Sequence, residues 1–204
     1  MNINKRLSGF IVVIVVATLL LFIFVVQPWL QNQNQIEATP QTVNLEEVSL
    51  GFTYMSGEHG YSLIEPPVQG DLKKAFILMS TPEYVSYQQS GNNDSPPAIS
   101  VFVFAEPGSE DDSDMERPGR ITRLQNWAID NTNITAFDKS YGTPEIVELD
   151  GLKALNYQTD GSYQQDIYIA GYHGNIYMFV GQYKRPTDAI KKDFQILIDS
   201  VSFD

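Results

Sequence analysis

Few residues in this chain have the type and spacing to carry chemistry. There are two histidines, His59 and His173, each beside a glycine (His59-Gly60 and His173-Gly174). An imidazole can act as a base or a metal ligand, so a hydrolase is conceivable if one histidine meets a carboxylate across loops. The Gly-flanked context favours exposed turn residues. A second candidate is EPGSEDDSDME at 106–116, where alternating Asp112, Asp114 and Glu116 could aim carboxylate oxygens at one hard cation such as Ca²⁺. Such a run of like charges reads first as a solvated loop. Third, tyrosines recur at 157, 163, 168, 172, 177 and 183. On alternation, Tyr177 and Tyr183 share a face with Phe179, and with Tyr168 and Tyr172 they form a candidate binding surface for a peptide, glycan or protein. The same pattern fits a sheet half-covered by a helix.

No other constellation is present. The sequence lacks a GxSxG elbow, a Walker loop, HExxH, GxGxxG and an EF-hand loop, so no cofactor is implied. It also lacks cysteine, which removes disulfides, thiolate metal sites and a cysteine nucleophile. The reading is a binding or accessory protein rather than an enzyme.

The elements that must position these residues begin with LSGFIVVIVVATLLLFIFVV, Leu7 to Val26. Twenty uncharged residues at 1.5 Å rise match the ~30 Å hydrocarbon core of a bilayer, so this is a predicted transmembrane helix with the lipid bilayer as its partner. Lys5 and Arg6 precede it, and no Lys or Arg occurs from 27 to 72. The positive-inside rule then places residues 1–6 in the cytoplasm and the C-terminal bulk outside the cell membrane. A cleaved signal peptide is the competing reading; the length of the apolar run and the lack of a nearby small-x-small site argue against it. Beyond residue 26 lie all 25 acidic residues but 11 of the 13 basic ones, a balance of −14 that makes nucleic acid a poor partner. The partner expected instead is another envelope protein or extracytoplasmic ligand.

Residues 27–44 are polar and read as a flexible linker, leaving 45–204 as one domain. Strand signals lie at 51–54 and 61–64, joined by a turn-rich SGEHG; at 74–80 and 98–105; and at 145–149, 153–158, 163–170 and 175–183. Residues 84–97 read as a loop. Asp150-Gly151, Asp160-Gly161 and His173-Gly174 separate the last four strands as turns of an antiparallel meander. Residues 120–131 carry Ile121, Leu124, Trp127 and Ala128 at helical spacing. After Thr187, a predicted cap, a second helix aligns Ile190, Phe194, Leu197, Ile198 and Val201. The fold class is α+β, a largely antiparallel sheet with helices packed on it.

The early aromatic strand GFTYMSGEHGYSL, the helix with Trp127, the Asp-Gly meander and the terminal ILIDSVSF together resemble the PsbP-like α/β/α sandwich, a fold also seen in small envelope proteins of the DcrB type. The resemblance covers roughly residues 45 to 204. It implies an extracytoplasmic or lumenal accessory protein without enzymatic activity. No ligand or partner residue of that family is matched position by position.

Overall fold

The computed structural model describes residues 38–90, 95–107 and 119–203. Nine strands form one sheet: β1 (Thr39–Leu45), β2 (Leu50–Ser56), β3 (Tyr61–Ile64), β4 (Leu72–Ser80), β5 (Ala98–Ala105), β6 (Ser140–Leu149), β7 (Leu152–Thr159), β8 (Gln164–Tyr172) and β9 (Asn175–Tyr183). Their order is β1-β2-β3-β4-β5-β9-β8-β7-β6. Every pairing is antiparallel except β2 with β3, which touch at the single parallel bridge Ser56 to Tyr61. Among the described residues four α-helices accompany the strands: α1 (Thr81–Ser90), α2 (Arg120–Asp130), α3 (Thr132–Thr135) and α4 (Ala189–Asp199).

Strand periodicity explains why the helices lie on opposite faces. In the central pair, Val101 opposes Phe179 and Val103 opposes Tyr177, whereas Phe102 opposes Met178 and Phe104 opposes Ile176. Side chains alternate across a sheet, so these two sets point to opposite sides. The first set packs with Phe194, Leu197 and Ile198 of α4. The second packs with Leu124 and Ala128 of α2, and Trp127 sets its ring 5.1 Å from that of Phe104. Both apolar helical stripes fall where their spacing predicts. The result is a three-layer α/β/α arrangement built on a sheet.

The two hairpin turns at Asp150-Gly151 (φ 44° and 77°) and His173-Gly174 (φ 44° and 68°) have the paired left-handed geometry that closes a two-residue hairpin. Asp160-Gly161 does not behave this way. It belongs to a longer connection between Thr159 and Gln164, where Asp160 accepts the Gly161 N–H at 3.0 Å.

Other expectations are corrected. The domain starts near residue 38 rather than 45, because Thr39–Leu45, all but its last residue within the expected linker, pairs along its length with β2. Its exposed polar side chains conceal a strand held by backbone hydrogen bonds. The turn-rich SGEHG, which suits a hairpin or an irregular loop, is the irregular loop, since the strands that it joins run parallel where they meet. Residues 81–90, expected to lie mostly in a loop, form α1, which buries none of its side chains and therefore shows no apolar period. Its one sequence signal is Thr81-Pro82-Glu83, with proline and an acid in the first turn. Leu7 to Val26 lie outside the described residues; among the described residues no helix is long and apolar enough to cross a membrane.

Candidate functional site

The register separates the two histidines. Tyr61 opposes Ser80, Met79 opposes Ala98 and Ile99 opposes Gly181, so His59 belongs to that end of the sheet. Asn175 opposes Ala105 at the other end, where His173 lies. The nine residues of β9 between these ends span roughly 25 Å. A site using both imidazoles is excluded. His173 instead stacks on Tyr172 with ring centroids 4.0 Å apart.

The tyrosine face is interior rather than receptive. Tyr177 and Tyr183 are 0% and 1% exposed and Tyr172 is buried against Phe203, while half-buried Tyr168 meets the Phe194 ring edge-on. Their hydroxyls are tied inward: Tyr177 donates to the Val48 carbonyl, and Tyr183 donates to Asp166 at 3.0 Å. Lys191 of α4 completes the second network, 3.1 Å from the Tyr183 hydroxyl and 3.3 Å from Asp166. Burial, opposed in part by Lys191, raises the Tyr183 pKa, so this phenol remains a donor. The network fastens α4 to β8 and β9.

Asp112, Asp114 and Glu116 lie outside the described residues. Among the described residues no group of three or more His, Cys, Asp or Glu side chains stands close enough to hold a metal ion.

A concavity with polar walls lies at the His59 end, a cleft of about 560 Å³. Its walls come from distant segments: His59 before β3 and Tyr61 within it, Glu83 of α1, Lys184, Arg185 and Asp188 before α4, and Asp193 within α4. Gly60 forms part of the lining, and a Cβ there would come within 2.5 Å of the Met55 carbonyl oxygen, so only glycine permits this close passage of backbone. The Tyr61 hydroxyl donates to Asp193 at 2.7 Å. Burial first, and then this bond to a carboxylate, hold the tyrosine pKa well above its ordinary value. Tyr61 is thus a fixed donor, not a base.

Asp188 is engaged differently. Its carboxylate accepts the backbone N–H groups of Lys184 and Arg185 at 3.1 and 3.0 Å and the Arg185 Nε at 3.0 Å. It therefore folds the loop ahead of α4, in place of the expected helix cap by Thr187, and these hydrogen bonds, led by that from the Arg185 backbone, lower its pKa. The stabilisation is present above the unfolded carboxylate pKa and is lost as pH falls through the lower folded value. Replacing Asp188 with Asn should make the loss of stability below about pH 4 shallower than in the wild type, read from chemical denaturation at successive pH values. The cleft presents both signs of charge and suits a small polar ligand. None of these residues except His59 was visible as a candidate, because their convergence depends on strands and helices far apart in sequence.

The same architecture occurs in a solved structure. The solution structure of cyanobacterial PsbP (CyanoP) from Synechocystis sp. PCC 6803 superposes with a TM-score of 0.52 at 14% identity, covering 84% of this chain and 96% of that one. The chain has a PsbP-like fold. A crystal structure from Bacteroides thetaiotaomicron VPI-5482 aligns with a TM-score of 0.43 at 8% identity, over 83% of this chain and 49% of that one. No protein-family model and no curated protein matches the sequence. At this identity the likeness to the PsbP-like structure is one of fold, and the cleft's ligand does not follow from it.

Proposed function

We propose that this chain is a single-pass membrane protein whose PsbP-like domain stands outside the membrane as an accessory or scaffold domain, binding a partner rather than catalysing a reaction. The observation that carries the reading is the fold: both faces of the sheet are filled by α2, α4 and packed side chains, so strand edges, loop ends and the cleft remain for recognition. Of the potential bases in that cleft, Asp188 and Asp193 already accept hydrogen bonds from the chain itself. The uncharged segment Leu7 to Val26, with Lys5 and Arg6 before it, supports the anchor and its direction. Twelve residues, 27–38, separate that segment from β1, and their fully extended contour is at most about 40 Å.

Protease added to intact cells should release the domain by cutting within residues 27–38 while leaving the anchor behind. A domain that stays protected until the membrane is permeabilised would reverse the orientation. Crosslinking in intact membranes should capture a neighbouring envelope protein reproducibly. If the chain is recovered uncrosslinked at every spacer length, the accessory reading fails.

A further inference from the structure

The sheet ends at β6, and the outer side of that strand has no neighbour among the described residues. Asp150 and Gly151 form the two-residue turn to β7, so Leu149 and Leu152 are the hydrogen-bonded pair that closes the hairpin. Counting back, Val147 and Glu145 direct their backbone groups toward β7. Glu148 and Ile146 direct theirs outward. Pro144 would be the next outward residue, but it has no N–H, and the register breaks between Tyr141 and Glu145. The outer edge therefore offers pairing only over residues 145–149.

The side chains along this short edge are distinctive. Ile146 is 59% exposed, the highest value among the exposed large hydrophobics of the described residues. Glu145 and Glu148 flank it, exposed, and being three residues apart they lie on opposite faces of the strand. Lys153 opposes Glu148 in β7, yet among the described residues neither glutamate is in an ion pair. A second copy pairing here would add its own two glutamates to the ribbon and no new base.

We propose that the outer edge of β6 receives an extended basic segment of a partner protein as an added antiparallel strand. Opposite Glu148, Val147, Ile146 and Glu145 the incoming strand reads basic, any, apolar, basic. Backbone hydrogen bonds to Ile146 and Glu148 supply the pairing, Ile146 packs on the apolar residue, and the two glutamates select the charge. The inference rests on the accessory-domain reading and names the chemistry of its partner.

The test uses the purified full chain in a non-ionic detergent, with a synthetic peptide of core Lys-Thr-Val-Lys and a control of core Glu-Thr-Val-Glu. Amide hydrogen exchange at Ile146 and Glu148 should slow about tenfold at a free lysine-peptide concentration ten times Kd, and not with the glutamate peptide. Glu145→Lys combined with Glu148→Lys should reverse the preference. Ile146→Pro, which removes an outward N–H and leaves the β7 side paired, should abolish protection by the lysine peptide without lowering cooperativity of unfolding. Equal protection by both peptides, protection located away from β6, or none at all overturns the proposal. If crosslinking still captures a neighbour in any of those cases, the accessory reading stands and only the edge is lost.

Discussion

Phe194→Ala should destabilise the domain by about 3–5 kcal/mol, the usual cost of emptying a buried phenylalanine site, and lower the melting temperature by roughly 10 °C. Phe194 is 2% exposed and packs in the core shared by α4 and the sheet, with Tyr168 at its edge. The effect should extend beyond α4. The β1–β2 hairpin joins the rest of the sheet through one bridge to β3, and its firmer attachment is the C-terminal segment. There Gly51 and Ser202 exchange backbone hydrogen bonds at 2.8 and 2.9 Å, and the Ser200 hydroxyl accepts the Thr53 N–H at 2.8 Å. Loosening α4 loosens these ties. Amide exchange in Leu50–Ser56 should therefore accelerate more in Phe194→Ala than exchange in β8 or β9. Equal acceleration across the whole sheet would show that the hairpin is not held through the helix.

Gly181→Ala is the second large effect, and it acts on the same contact from the other side. A methyl at Gly181 would overlap the Phe194 ring, because β9 and α4 approach each other there with no side chain between them. Overpacking of this kind costs about 1–3 kcal/mol, since a ring wedged in a full core cannot step aside. The decisive measurement is the double-mutant cycle. With Phe194 reduced to alanine there is room for the methyl, so Gly181→Ala should become nearly neutral in that background. If its cost is unchanged in Phe194→Ala, the glycine is required for some other reason. Gly51 offers a contrast: a Cβ there meets the Ser202 hydroxyl, the end of a small side chain that can rotate away, and substitution should be milder.

Much of the architecture was legible because it depends on local period. The alternation of β9, with Tyr177 and Phe179 against Ile176, Met178 and Val180, assigned residues to two faces, and the structure puts those faces in two separate cores. The stripes of α2 and α4 and the turns at Asp150-Gly151 and His173-Gly174 are likewise set by near neighbours. Where side-chain pattern carried no such signal, the reading failed: β1 is polar yet paired by its backbone, and α1 is helical with no buried stripe.

The tyrosines show the limit most clearly. Their alternation was readable, but whether that face was a binding surface or a floor under a helix depended on where α4 docks, a matter of contacts between residues far apart in the chain. Tyr168 and Phe194 meet only once the last helix folds back over the meander. The separation of His59 from His173 is also tertiary, because it follows from strand order and register rather than from either residue's neighbours. The same is true of the cleft and the exposed β6 edge. By itself the sequence determined the apolar segment, the acidic balance, the two faces of the sheet and the two amphipathic helices, all properties of spacing within a few residues. The tertiary structure alone decided which face each helix covers, which strand lies at the edge and which distant charges meet, since chain topology brings those groups together.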